Sequence, residues 1–148
     1  MIEPAGYCIE DLNEGMEASF SKTLTDADIV LFSGVSGDTN PVHLDAVYAA
    51  GTRFGGRIVH GMLTASLISA VLGTKLPGPG AIYLSQNLRF RAAVKPGDTV
   101  TARVRVATLD RARNRVTLAC TCHVGETLAV DGDAQVMVPS REQKGAAS

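Results

Sequence analysis

Residues 61–73 (GMLTASLISAVLG) are apolar or small nearly all the way round. A helix without a polar face must be covered on every side, so this segment belongs inside the molecule. Pro77-Gly78-Pro79-Gly80 ends it, and four strand-like runs follow, at 82–92, 99–109, 115–124 and 128–138. In 99–106 (TVTARVRV), Val100, Ala102, Val104 and Val106 alternate with Thr and Arg. That is the pattern of a sheet covered on one face. The 148 residues suit one domain. The expected architecture is α+β, an antiparallel sheet of about five strands wrapping one long buried helix. The domain is expected to span 1–148, with the small polar stretch 140–148 (SREQKGAAS) as a flexible tail. Such a sheet leaves a face or an edge to cover, and a second copy of the chain is the simplest cover.

Upstream, 17–24 (EASFSKTL) predicts a first strand. Thr25 reads as a helix N-cap with Asp28 three residues on, opening a helix from 26 to about 34. A second, short helix is expected at 45–51, between the turn-rich stretch 36–41 and Gly55-Gly56. Gly61, Ala65, Ser69 and Gly73 fall four apart, a row of small residues expected to let the buried helix lie close against the sheet.

Lys and Arg number 14 against 15 Asp and Glu, a net charge of -1. That balance argues against a partner bound by neutralising phosphates, so no nucleic acid is expected. The longest uncharged stretch, 58–74, is too short and too polar to span a membrane. The acidic N-terminus lacks the basic and apolar regions of a secretory signal. Three cysteines make no disulfide framework, and Cys120 and Cys122, two apart, read as small apolar residues on one strand face. A reducing cytoplasm is the expected compartment. No cluster with metal-ligand spacing is evident, so neither a metal nor a redox cofactor is expected.

The chemistry-bearing signal is Gly37-Asp38-Thr39-Asn40-Pro41-Val42-His43. It sets a carboxylate and an imidazole five residues apart across a turn stiffened by proline. Groups that converge across such a turn can hold one water and move its proton. Taken alone, Asp38 could equally cap its own loop, and His43 could be a satisfied buried histidine. A second element, Ile58-Val59-His60-Gly61-Met62, leads into the buried helix. The unpaired N–H groups at a helix N-terminus can stabilise an oxyanion, and Gly61 leaves room for a carbonyl to approach. Gly61 could equally do no more than permit a tight helix entry. The plain alternative for Ser69 is a bond to the carbonyl of Ala65. His60 and His123 read as structural, His60 by bonding backbone at the helix entry.

The segments 32–43 (FSGVSGDTNPVH) and 58–73 (IVHGMLTASLISAVLG) resemble the MaoC-like (R)-specific enoyl-CoA hydratases, whose signature runs from an aromatic through small residues to Asp-x-Asn-Pro-aliphatic-His. The likeness continues through 82–90 and 94–100 and covers about residues 15–138. It implies a hot-dog fold, a homodimer and an acyl-CoA thioester substrate. It implies that Asp38 and His43 are the catalytic pair and that Asn40 braces their loop. It further implies that the Gly61 N–H binds the thioester oxygen and that Ser69 bonds within the site. The implied reaction is reversible hydration of trans-2-enoyl-CoA to (3R)-3-hydroxyacyl-CoA, with CoA entering only as part of the substrate.

The phosphates of CoA would call for cations at the mouth of the site. Arg53, Arg57, Arg89, Arg91 and Lys95 are the candidates, each of which could equally be an ordinary surface charge. Two other functions fit the same residues. One is a (3R)-hydroxyacyl dehydratase acting on acyl carrier protein. The other is a non-catalytic acyl-CoA-binding subunit that keeps the fold without the chemistry.

Overall fold

The structure is a computed structural model, and it describes residues 5–142. After a short 3-10 turn at Ile9–Asp11, strand β1 covers Glu17–Thr23 and helix α1 covers Asp26–Ser36. Two short helices follow, α2 (Pro41–Leu44) and α3 (Ala46–Ala50), and then the long α4 (Gly61–Thr74). The rest is strand: β2 (Ile82–Gln86), β3 (Arg89–Phe90), β4 (Thr99–Asp110), β5 (Arg115–Val124) and β6 (Thr127–Met137).

One antiparallel sheet is formed in the order β1-β4-β5-β6-β2, with β3 also paired to β6. It has six strands rather than about five, because the run 82–92 breaks at Asn87 and Leu88 into β2 and β3. Gly132 of β6 accommodates the break: a Cβ there would fall 2.0 Å from the Asn87 carbonyl oxygen. Val100, Ala102, Val104 and Val106 are all buried, as the alternation predicts. Beside them on β5 lie Val116, Leu118, Cys120 and Cys122, also buried. Burial pushes the Cys120 thiol up to about 11 and the Cys122 thiol up to about 12, so both act as small apolar packing groups.

α4 lies on this covered face, seating Thr64, Leu67, Ile68, Val71 and Leu72 against the sheet. Each fully buried aliphatic side chain of this kind contributes about 1.5–3 kcal/mol. The row of small residues does not face the sheet as expected. Ala65 is buried, but Gly61, Ser69 and Gly73 are exposed. The concave face of a twisted sheet is filled by branched side chains, and the small residues are left on the opposite side of the helix.

α1 opens with a reciprocal capping box. Asp28 N–H donates to Thr25 Oγ1 at 3.2 Å, and Thr25 N–H donates to the Asp28 carboxylate at 2.9 Å. The helix runs to Ser36, two residues past the expected end, and closes where Gly37 turns left-handed at φ 81° with its N–H on Ser33 O. The tail expectation needs a partial correction. Ser140 is buried and donates to Glu10, and Arg141 pairs with Asp11 at 2.5 Å, so the first residues of 140–142 are tied down. The remainder, 143–148, lies outside the described residues.

Candidate active site

Asp38 and His43 sit on two consecutive helix ends. Asp38 follows the left-handed close of α1, and its N–H donates to Ser36 Oγ at 3.1 Å. Asn40 then caps α2: its Oδ1 accepts from Val42 N–H at 3.1 Å, and Pro41 takes the first helical position, where a missing N–H costs nothing. That cap sets His43 one turn on, buried, with Nδ1 2.8 Å from the Ile58 carbonyl oxygen. A carbonyl only accepts, so Nδ1 carries the proton, and in the neutral ring Nε2 is left with a lone pair. Asp38 itself is exposed, and Asn40 N–H reaches its Oδ1 at 3.3 Å. The loop-capping role read from sequence is therefore present, as a long bond that leaves carboxylate capacity to spare.

One side-chain polar atom from each of Asp38, His43 and His60 lies within 4.8 Å of the other two. The two imidazoles stack with centroids 3.8 Å apart and planes 25° apart. Lone pairs lie in the ring plane, so stacked rings aim them side by side rather than at one point. One nitrogen of each ring is also engaged with a backbone carbonyl. The nitrogen left over on each ring, His43 Nε2 and His60 Nδ1, carries a lone pair.

Gly61 is the first residue of α4 and lines a cavity of about 480 Å³ together with Asp38, Met62, Thr64, Phe90 and Arg53. The Gly61 N–H belongs to the first turn, whose N–H groups have no partner within the helix. Asp38 and the first turn of α4 thus line one cavity, and a ring nitrogen of His43, which is not itself in that lining, lies within 4.8 Å of an Asp38 carboxylate oxygen. Ser69 lies elsewhere: it lines a neighbouring hollow with Phe32, Ala65 and Tyr83.

The five basic candidates separate once side-chain directions are known. Arg53 lines the cavity, its guanidinium 5.3 Å from the Phe54 ring centroid. Arg91 also lines it and pairs with Asp131 at 3.1 Å. Arg57 is instead occupied internally, donating to His43 O at 2.8 Å and pairing with Asp26 at 3.0 Å. Arg89 alternates with Phe90 on β3 and points to a separate hollow beside Asp131 and Asp133. Lys95 is exposed in the turn before β4 and does not line the cavity. Sequence reasoning missed Phe90 and Thr64 as lining residues. The signal for Phe90 was its alternation with Arg89 in a strand, which puts the two side chains on opposite faces.

The family description "MaoC like domain" matches residues 10–127. The chain belongs to the MaoC-like family. This MaoC-like chain is 54% identical over 135 residues to an (R)-specific enoyl-CoA hydratase of Rhodospirillum rubrum, covering 91% of this chain and 94% of the relative. It is 52% identical over 134 residues to a 3-hydroxybutyryl-CoA dehydratase of Methylorubrum extorquens, covering 90% and 85%. Among solved structures, the (R)-hydratase of A. caviae, titled as involved in PHA biosynthesis, superposes with a TM-score of 0.85 at 45% identity, covering 88% of this chain and 99% of that one. The MaoC-like chain therefore has the hot-dog fold expected from its sequence. No helix among its described residues is long and apolar enough to cross a membrane.

Proposed function

We propose that this chain is an (R)-specific enoyl-CoA hydratase that adds water reversibly to a trans-2-enoyl-CoA, giving a (3R)-3-hydroxyacyl-CoA. The observation that carries the proposal is that Asp38 and Gly61 line one cavity while a ring nitrogen of His43 lies within 4.8 Å of an Asp38 carboxylate oxygen. The relatives named above act in the same direction or its reverse.

A conjugated thioester becomes electrophilic at C3 once its carbonyl is polarised. The Gly61 N–H and the α4 terminus supply that polarisation and stabilise the enolate-like charge that develops. Asp38 and His43 hold one water between them. Its oxygen bonds to C3, its proton passes to the pair, and a proton from the pair reaches C2. The roles of base and acid are assigned to the pair rather than to either residue. Water is the only co-reactant, and neither metal nor redox cofactor enters the balance. Arg53 and Arg91 line the cavity, and in this reading they meet the CoA phosphates.

The functional unit in this reading is a homodimer. Met62 on α4, with Ile82, Tyr83 and Leu84 on β2, leaves an apolar face beside an unpaired sheet edge, and a second copy would cover both. Three buried free thiols support a reducing, cytoplasmic setting.

The test is loss of the conjugated-thioester absorbance when purified protein meets crotonyl-CoA, with the product offered to (R)- and (S)-specific hydroxyacyl-CoA dehydrogenases. Fast loss with (R) product is expected. Turnover confined to carrier-protein thioesters would transfer the activity to the dehydratase reading, and acyl-CoA binding without turnover on either would leave a non-catalytic subunit.

A further inference from the structure

We infer that His60 is the positioning residue that holds both members of the catalytic pair at once, an inference that rests on the hydratase reading above. His60 immediately precedes α4, where a Ser, Thr, Asp or Asn would normally cap the helix, yet its side chain makes no capping bond. The ring turns instead toward the Asp38 loop. It is 1% exposed, and its Nε2 lies 3.0 Å from the Asp38 carbonyl oxygen and 3.1 Å from Ser33 Oγ. The carbonyl can only accept, so Nε2 carries the hydrogen and donates, with Ser33 Oγ sharing it.

One face of the same ring stacks on His43 at 3.8 Å, while Phe32 meets it edge-on at 4.8 Å. His60 is therefore wedged between Phe32 and His43. The stack fixes the plane of the His43 ring, and the bond from His43 Nδ1 to Ile58 O fixes its rotation within that plane. Together they set the direction in which His43 Nε2 points. The donation to Asp38 O sets where the Asp38 backbone, and hence its carboxylate, is presented. His60 Nδ1 is buried and has no hydrogen-bond partner among the described residues, so the ring's polar contacts all serve the Asp38 side. One buried side chain thus couples two groups that are five residues apart and must share a water. The sequence conceals this, because the partners of His60 lie 17, 22 and 27 residues before it.

Three substitutions separate the two contacts. H60Q keeps an N–H donor and loses the ring, H60F keeps the ring and loses the donor, and H60L loses both. With crotonyl-CoA, H60L is expected to lower kcat by about 10–100-fold with KM little changed, since a displacement of about 1 Å can cost that much. H60Q and H60F should each recover part of the loss. Full kcat in folded H60L, or H60F equal to wild type, would show a packing role and overturn the inference. Imidazole nitrogen NMR of the wild-type protein supplies a check that needs no variant to fold. His60 is expected as the Nε2–H tautomer and His43 as the Nδ1–H tautomer, and the same tautomer for both would also overturn it. Absence of turnover in wild type would instead overturn the hydratase reading itself, which distinguishes the two failures.

Discussion

The ring of Phe90 occupies the space that a side chain at Gly61 would need. A Cβ built on Gly61 falls 2.7 Å from Phe90 Cε1 and 2.8 Å from Cδ1. Phe90 comes from a two-residue strand held on β6, and Gly61 from the start of the central helix. Both residues line the cavity, so the ring forms part of its wall beside the helix end proposed to bind the thioester oxygen.

Gly61→Ala should therefore act through Phe90. The added methyl must displace the ring, at about 1–3 kcal/mol. Lower turnover and a lower melting temperature are expected together. Adding Phe90→Ala should restore much of the lost melting temperature, so the two changes should be non-additive. Additive melting shifts would mean that the ring is not what Gly61 avoids.

Asp38→Asn keeps the shape and hydrogen-bonding outline of the side chain but removes its charge. Loss of at least ~10²-fold in kcat is expected, with circular dichroism and melting temperature unchanged. Unaltered turnover would end the assignment of Asp38 to the reacting pair.

Arg53 and Arg89 should differ in kinetics. Arg53 lines the cavity, whereas Arg89 does not. Arg53→Ala should raise KM for CoA thioesters several-fold, more at low salt, and leave kcat nearly unchanged. Arg89→Ala should leave both constants near wild type, and equal effects of the two would remove the proposed phosphate contact.

The α1 capping box makes stability depend on acid. A side-chain hydrogen bond from Lys22, at 2.6 Å, and then the Thr25 N–H hold the Asp28 carboxyl below its ordinary range. A group depressed in the folded state adds stability above its unfolded value and loses it as pH falls through the folded one. Urea midpoints should thus decline from about pH 5 toward about pH 3, and less steeply in Asp28→Asn. Thr25→Ala should cost about 1 kcal/mol near neutral pH. A slope unchanged by Asp28→Asn would assign the acid sensitivity to other carboxylates.

The elements most legible in the sequence were those whose pattern is local. The alternation of Val100 to Val106 specified a half-covered strand, the all-round apolar character of 61–73 specified a covered helix, and the spacing from Asp38 to His43 specified a convergent turn. Side-chain direction was less legible. Arg53 and Arg57 are four apart, yet one lines the cavity while the other binds the His43 carbonyl, a difference set by tertiary packing. The row of small residues on α4 was visible, but which side of the helix the sheet would take was not, since a helix apolar all round has no preferred face. His60 read as a backbone-bonding histidine, and it does bond backbone. What was hidden was whose backbone, and that its ring also carries His43.

The pinning of the loop from Gly37 to His43 has an evolutionary consequence. Asp38, Asn40, Val42 and His43 each have their N–H tied within two to three residues. This stretch behaves as a ruler whose graduations are N–H bonds, three of them to the side chains of Ser36, Asp38 and Asn40. Drift can respell it wherever a substitute preserves those bonds. Lengthening it by one residue would shift His43 by up to ~3.8 Å along the chain, beyond the reach of a shared proton. Lineages that retain the chemistry should keep Asp38, Asn40 and His43, vary at positions such as Thr39, and hold the count of the segment constant.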